Sequence, residues 1–398
     1  MGCGFMDEVN KAHKAQFGEL PKLVVQTPGR FHLMGEHSWF CKDKTLSMAV
    51  NLPVYIAVSP RNDSSVHFYF HQLKYSKKTS LSTLRMKKED RWANNMKAMI
   101  YGFTSGGFEV KGMNFTVYTD ILPSAGFGIT TAIKVGTAFA IRQLLKIPCS
   151  DAQLLQVIER GNKLFLRTGN YIADNYAALY SKPGNLILTD HATGTYDYVP
   201  FNFKDKKILL TDAKVPRISI WDEETVREPE NVLLLGDLRE RKNNVYGGWI
   251  YEQSATEINE TLSVIPEDIK KKLLYIIKEH QFVLDSREAI INGNFGAFAH
   301  CVNQSHEYIR DLYNLSCPEI DWILKRVYEL EPKLEYLRNP VTCGRITGKG
   351  FGRCLYAIVR KEDVPTYMKK LEEYERIFGF KPDTYEVKPA KGVHVVRN

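Results

Sequence analysis

Separate stretches of this 398-residue chain combine glycine with side chains that could do chemistry. In Pro28-Gly29-Arg30 a turn delivers a guanidinium, and in Gly35-Glu36-His37 a second glycine delivers a carboxylate beside an imidazole. Such a set can hold a polyol: the carboxylate accepts from hydroxyls, the imidazole donates or accepts, and the guanidinium stabilises negative charge. In Leu122–Ala140, LPSAGFGITTAIKVGTAFA, a turn runs directly into an apolar helix. Gly126 and Gly128 allow a tight bend and leave room beside it for a bulky anion. Thr130 and Thr131 follow at the first helical turn, where unpaired N–H groups and the positive dipole end favour phosphate. Their hydroxyls could add hydrogen bonds or a magnesium contact. The stretch is not a Walker loop, because nothing in it reads GxxxxGK[ST]. In Thr342–Cys354, TCGRITGKGFGRC, Gly344, Gly348, Gly350 and Gly352 could shape a backbone nest against a ligand. Asp174, in YIADNYAAL, could serve as a base. Taken singly, each stretch has a plainer reading: a surface ion pair, a turn before a core helix, a flexible hairpin, a helix cap.

The elements that must carry these residues alternate between strand and helix. From Lys22 a strand runs to a break at Pro28-Gly29 and resumes. Thr45–Arg61 reads as strand, turn, strand, and Ser65–Tyr75 as a further strand. Residues 7–17 and 91–103 read as helices, and Phe115–Tyr118 as the strand leading to the glycine turn. Behind that turn Ile129, Ala132, Ile133, Val135, Ala138, Phe139 and Ile141 give the helix a buried body. Asp151–Phe165 is helical with Leu154, Leu155, Ile158 and Leu164 inward; Tyr171–Leu179 is a short helix; Asn185–Phe201 is a strand pair split at Gly194. A new strand, KILLTDAKV, begins after Lys206. Long helical patterns then cover 248–312 and 318–336, followed by strand, turn and strand at 340–361, a helix at 363–378 and a last strand near 383–396. The change of character near 203–207 predicts two domains, 1–205 and 206–398.

Composition excludes several classes. Hydrophobic content of 44% and charge of 25% are ordinary for a globular protein of this length. The net charge of +8 is mild and dispersed, with 54 basic against 46 acidic residues, which argues against a nucleic-acid partner and suits an anionic small molecule such as a nucleotide. The cysteines number seven and lack CxxC spacing, which argues for a reducing compartment and against a zinc site. The sequence shows no apolar run of about 18 residues or more, and the start MGCGFMDEVN is not a signal peptide. A cytoplasmic protein with no membrane partner is expected.

Taken together and in order, these stretches resemble the signature motifs of the GHMP small-molecule kinases, and within them the galactokinases. TPGRFHLMGEHSWF is similar to the galactokinase signature PGRxNLxGEHxDY, PSAGFGITTA to PxxGLGSSSA, and GRITGKGFGRC to RMTGxGFGGC. Between them, RWANNMKAMI resembles WANYxKGVI, SHEYIRDLYNLSCPEID resembles ESHxSLRDxYxVSCPELD, and IADN stands where the family has IMDQ. The likeness covers residues 25–395.

The resemblance implies an α+β, two-domain fold: a ribosomal S5 domain 2-like N-terminal domain, a ferredoxin-like C-terminal domain, and the active site between them. It implies an ATP-dependent phosphotransferase acting on the anomeric hydroxyl of a sugar, with Mg2+ as the accompanying ion. Asp174 would be the base or hydroxyl orienter, and Arg30 would neutralise charge between it and the γ-phosphate. Gly126, Gly128, Thr130 and Thr131 would cradle phosphates, with Thr130 the Mg2+ contact, and Gly348 and Gly350 would support them. Trp92 would flank the base; Glu36 and His37 would grip sugar hydroxyls. The departures are as informative. The galactokinase Asp two residues after GEH is Trp39, and a family Gly before the catalytic Asp is Tyr171, so two rings enter the sugar site. At position 162, where the family often has a magnesium-holding Glu, stands Asn; Glu159, one turn earlier, is the substitute candidate. The expected partners are a sugar and ATP, the chain acting as a monomer or weak dimer. The rival expectation is a non-catalytic sugar or nucleotide sensor.

Overall fold

The computed structural model describes residues 2–121, 126–215, 254–263, 266–331, 339–348 and 353–397. The chain divides into two compact units, one of Met1–Arg30, Met48–Pro183 and Pro389–Asn398, the other of Phe31–Ser47 and Gly184–Lys388. A single boundary at 205/206 was the sequence expectation; the observed units are discontinuous in sequence, because strands β1 (Leu23–Met34) and β2 (Lys44–Pro60) each contribute one end to each unit.

The first unit is built on helix α1 (Gly2–Phe17), strands β1 to β5, helices α2 (Ala93–Ser105), α3 (Ile129–Leu144), α4 (Asp151–Arg160) and α5 (Ile172–Tyr180), and the final strand β12 (His394–Arg397). Its strand order is β12-β1-β2-β5-β3-β4, with β3 (Ser65–Phe70), β4 (Tyr75–Ser80) and β5 (Met113–Tyr118). β5 pairs antiparallel with β2 from Tyr55↔Tyr118 to Pro60↔Met113 and parallel with β3 from Val66↔Met113 to Phe70↔Val117. Buried on both sides, β5 has no exposed residue, whereas β3 alternates with Val66, Phe68 and Phe70 buried. At the edge, β4 reads YSKKTS; its lysines blunt an outer side that pairs with no further strand among the described residues. β1 runs unbroken through Pro28-Gly29, against the expected interruption. A proline costs a strand one ladder donor but not its extended backbone. For the same reason β2 passes through Pro53 as one strand.

Helix α3 buries Ile129, Ala132, Ile133, Val135, Ala138 and Ile141 of the expected apolar face, while Phe139, expected with them, is half-buried. Helix α4 starts on a capping box in which the Ser150 side chain accepts from the Gln153 N–H at 3.2 Å and the Gln153 side chain accepts from the Ser150 N–H at 2.8 Å. The expected continuous helix to Phe165 gives way at Gly161–Leu166 to a wider π-type turn. That change of pitch rotates Leu164 outward to 60% exposure, correcting its expected inward placement.

The second unit contains the ends of β1 and β2, the hairpin β6 (Asn185–Asp190) and β7 (Thr195–Pro200), and a four-stranded antiparallel sheet. That sheet orders β11 (Asp383–Val387), β8 (Lys206–Asp212), β10 (Cys354–Arg360) and β9 (Cys343–Ile346). Helices α6 (Ala255–Ser263), α7 (Glu267–Ile291), α8 (Phe295–Asp311), α9 (Pro318–Tyr328) and α10 (Val364–Phe378) complete it. Its core joins Leu209, Leu355 and Ala357 of the sheet to Tyr275, Ile276, Ile309, Ile323, Tyr367 and Tyr374 of the helices. The last expected strand, 383–396, is two strands: β11 stays in this unit and β12 pairs with β1 in the first. Among the described residues, no helix is long and apolar enough to cross a membrane.

Candidate active site

In the first unit Arg30, at the end of β1's share, and the glycine turn before α3 are fastened together. The Arg30 N–H donates to the Phe127 carbonyl at 2.9 Å. Gly128 caps α3 at φ +74, and a Cβ there would lie 2.7 Å from Arg30 Cγ and 3.0 Å from Arg30 N. Only glycine satisfies both the left-handed backbone and that close approach. Gly126 shares the positive φ, +83.

This close packing aims the guanidinium at Asp174. Arg30 Nε lies 2.6 Å from one carboxylate oxygen and Nη2 donates to the other at 2.8 Å. The fork is the geometry in which a guanidinium meets a carboxylate most strongly. Thr131 Oγ1 donates to Asp174 Oδ2 at 2.9 Å. Asp174 itself lies in the first turn of α5, where the helix dipole favours negative charge, with Tyr171 as the N-cap. The three side chains are 5–8% exposed: Thr131 at 5%, Arg30 at 7%, Asp174 at 8%. Thus a carboxylate, a fixed cation and a helix N-terminus lined by Thr130 and Thr131 meet at one spot. Trp92 caps α2 at 7% exposure, edge-on to Phe70 at 5.3 Å between centroids, and its indole N–H finds no acceptor among the described residues. An indole so placed keeps one donor for a ligand.

The expected metal positions come out differently. Glu159 receives Lys163 at 2.6 Å, one turn on along the helix, and is part of a solvent-facing ion pair rather than of the Asp174 cluster. Asn162 Oδ1 accepts from Lys134 Nζ at 2.9 Å, and Asn162 Nδ2 donates to Asn170 Oδ1 at 2.9 Å, which also accepts from Asn175 at 3.1 Å. Among the described residues no group of three acidic, histidine or cysteine side chains could hold a metal ion. Mg2+ needs near-octahedral oxygen ligands, and protein sites supply it with one or two carboxylates. Here both Asp174 oxygens are engaged, Glu159 is turned away, and position 162 offers an amide beside an ammonium. Glu159, expected as a magnesium contact, stands instead in an ion pair with Lys163, and Thr130 lies at the start of α3.

In the second unit Gly35 takes φ +87, and a Cβ there would stand 2.0 Å from the Lys44 carbonyl oxygen. Its N–H donates to Glu279 at 2.7 Å. Arg345, fully buried, ties the next residue down: it donates to Glu36 Oε1 at 2.7 Å, to Glu279 at 2.8 Å, to Ser305 Oγ at 2.8 Å and to the Ile346 carbonyl at 2.8 Å. Ser305 in turn donates to Glu279 at 2.5 Å. Glu36 keeps its second oxygen, Oε2, without a partner among the described residues. Burial pushes the Glu36 carboxyl above its ordinary pKa, and the charge and hydrogen bond of Arg345 pull it back. His37 lies with Nε2 3.7 Å from Glu36 and its ring 5.9 Å from that of Tyr313. Trp39 opens a short 3-10 turn, half-buried, its ring 6.1 Å from His191. Thr347, just after β9, donates to the His32 carbonyl at 2.8 Å and so ties the third glycine stretch to β1 within this unit. Gly348 follows at φ +87, and Gly350 lies outside the described residues.

Arg345, Glu279 and Ser305 were not singled out from the sequence. Arg345 and Ser305 stand inside quoted motifs, but their burial is invisible there; Glu279 lies on a helix whose sequence gives no sign of it. Lys134 was passed over as a charge on a largely apolar helix.

Comparisons with known proteins give the family and the fold. The galactokinase galactose-binding signature matches residues 11–60, and the GHMP kinase N-terminal domain matches residues 93–182. The fold is similar to that of Lactococcus lactis galactokinase solved with galactose, with a TM-score of 0.87 at 20% identity over 98% of this chain and 99% of that one. It is also similar to Methanococcus jannaschii mevalonate kinase, with a TM-score of 0.64 at 15% identity over 93% and 99% of the two chains. The architecture is therefore the α+β, two-domain GHMP kinase fold. In sequence the chain is 36% identical, over 98% of its length and 97% of the relative's, to a Treponema pallidum protein named "Putative galactokinase". It is 25% identical, over 94% of its length and the whole of the relative's, to the galactokinase of Thermotoga maritima. The chain belongs to the galactokinase family. It is a phosphotransferase, a galactokinase-like sugar kinase of a family that uses ATP.

Proposed function

We propose that this chain transfers the γ-phosphoryl group of ATP to the anomeric hydroxyl of galactose or a closely related sugar. The observation that carries the reading is the Asp174 carboxylate, gripped by Arg30 at 2.6 and 2.8 Å and by Thr131 at 2.9 Å beside the glycine turn. Phosphoryl transfer needs little covalent work from a protein; it needs positioning and charge stabilisation. Asp174 orients the sugar hydroxyl and accepts its proton as the oxygen attacks phosphorus. Arg30 stabilises charge spreading over the transferred group while holding the carboxylate in place. The turn at Gly126 and Gly128 and the start of α3 at Thr130 and Thr131 receive the phosphates, and Trp92 presents its ring and free N–H toward the base. Glu36, with one oxygen held by Arg345, accepts a sugar hydroxyl with the other, and His37 adds a second polar contact. Were Mg2+ to accompany the nucleotide, the Thr130 hydroxyl at the start of α3 would be the protein group to meet it.

Trp39 and Tyr171 make the choice of sugar the open variable. A ring stacks on a sugar's apolar face but cannot replace a carboxylate's hydrogen bonds to hydroxyls. A galactose derivative whose hydroxyl pattern is modified suits that pair better than galactose. The intact Asp174–Arg30–Thr131 cluster supports catalysis over a non-catalytic sensor. Coupled ADP release over a panel of monosaccharides tests the reading. Turnover with at least one hexose is expected, together with a loss of at least about a hundredfold in kcat for Asp174→Asn. A folded protein that binds ATP yet turns over no sugar overturns it.

A further inference from the structure

We propose that Asp43 is the positioning residue of the sugar-facing loop: it fixes Trp39 relative to Glu36 and so sets which hexose the protein accepts. The inference rests on the sugar-kinase reading and deepens it. Glu36, His37 and Trp39 all stand on the loop between β1 and β2, residues 35–43. That loop carries the short 3-10 turn Trp39–Cys41, followed by Lys42 at φ +58 in the left-handed region. A lysine there is strained, and such strain persists only where the surroundings hold the backbone in place. Asp43 is 1% exposed, and three donors converge on its carboxylate. Ser38 Oγ donates to Oδ2 at 2.8 Å, the Lys44 N–H donates to Oδ1 at 2.6 Å, and His280 Nδ1 lies 2.6 Å from Oδ1. The carboxylate therefore clasps the residue before the 3-10 turn and the residue after the loop to a helix behind them.

Two features turn that clasp into control of the sugar. First, neighbouring residues of α7 grip the two ends of the loop. Glu279 accepts from the Gly35 N–H at 2.7 Å and shares Arg345 with Glu36, while His280 meets Asp43. One helix thus fixes the separation between the carboxylate that receives a sugar hydroxyl and the indole three residues on. Second, the ring beside Trp39 is tied to the same acid. The His191 N–H donates to the Asp43 carbonyl at 3.1 Å, its Nε2 lies 2.9 Å from Thr45 Oγ1, and its ring stands 6.1 Å from that of Trp39. An indole whose backbone and neighbouring ring are both fixed presents one face at one place. It favours a sugar with an apolar face there and penalises one whose hydroxyl needs a partner.

Steady-state kinetics of the full chain, with the best hexose of the monosaccharide panel, test this. Asp43→Asn keeps the shape of the side chain but gives up an acceptor. It is expected to raise the sugar KM about tenfold or more, while kcat and the KM for ATP stay within about threefold. Because Asp43 acts through Trp39, the same substitution added to Trp39→Ala should change the sugar KM by less than about threefold. The preference for that hexose over the next best, as a ratio of kcat/KM, should fall in Asp43→Asn toward its value in Trp39→Ala. His280→Gln loosens the clasp from the α7 side and carries the test if Asp43→Asn does not fold. It should raise the sugar KM about fivefold, and again only where the indole is present. The proposal is overturned if the sugar KM and the preference do not move, if the rise is the same with and without the indole, or if the KM for ATP rises equally. The kinase reading survives each of these results, since sugar-dependent ADP release persists in all of them. A wild-type chain that turns over no sugar overturns both.

Discussion

Arg345 and Glu36 form an ion pair at 2.7 Å from which water is excluded, with Arg345 at 0% and Glu36 at 7% exposure. A second carboxylate, Glu279, shares the guanidinium at 2.8 Å and is equally buried. One cation thus holds two acids, and one of those acids is proposed to receive the sugar. Removing the cation leaves two uncompensated charges in a dry interior. Arg345→Met is expected to destabilise the fold by about 3–5 kcal/mol, read by urea denaturation. Arg345→Lys should recover only part of this, because a point charge cannot reproduce the fork that reaches Glu36, Glu279 and Ser305 together. Equal stability of wild type and Arg345→Met would remove the network from any structural role.

Gly128 offers a narrower test. Alanine there must adopt φ +74 and place a methyl group 2.7 Å from Arg30 Cγ. The backbone penalty alone is about 1–2 kcal/mol. The displaced Arg30 loses its fork on Asp174, so kcat should fall by about tenfold or more while adenosine affinity stays. The readouts are a denaturation curve and steady-state kinetics on the same preparation. A variant with undiminished kcat would uncouple the glycine turn from the Arg30–Asp174 pair.

His13, on α1, predicts an acid-side loss of stability. It is fully buried, with its ring nitrogens 2.9 Å from Thr116 Oγ1 and 3.1 Å from Ser59 Oγ. Burial pulls its pKa from 6.5 to about 4, with Glu19 opposing. The folded state therefore binds the proton less readily than the unfolded state. Stability from this group is whole above pH 6.5 and is lost as pH falls from 6.5 toward 4, by up to about 3 kcal/mol. His13→Gln, which keeps hydrogen-bonding capacity but does not titrate, should flatten that limb of the stability–pH curve. An unchanged slope in the variant would show that other groups carry it.

Trp39 tests the choice of sugar. Trp39→Asp places a carboxylate where the galactokinase signature has one, and a hydroxyl partner gained in this way raises kcat/KM for galactose by about tenfold. The comparison is initial rates with galactose for the two proteins. A fall in galactose turnover would show that the indole, not a missing acid, serves the substrate.

Much of the site was legible in the sequence because its pieces are local. The turn at Gly126 and Gly128, the threonines at the start of α3, and the strand that delivers Arg30 are short-range facts, fixed by glycine's freedom and by hydrophobic spacing within a few residues. Asp174 was legible only through its resemblance to a motif, since a lone Asp in the first turn of a helix is most often a cap. That it meets Arg30, 144 positions away, is decided by how α5 packs beside α3 and β1. The same holds for Arg345 and Glu36, 309 positions apart, and for Arg345 and Glu279, 66 apart. Charge pairing across such distances leaves no periodic trace in a chain, because a buried ion pair needs only opposite charges and a dry enclosure, and the enclosure exists once the strands and helices have packed. Lys134 is a further case: by sequence a polar break in an apolar helix, by structure a donor to Asn162, 28 positions away.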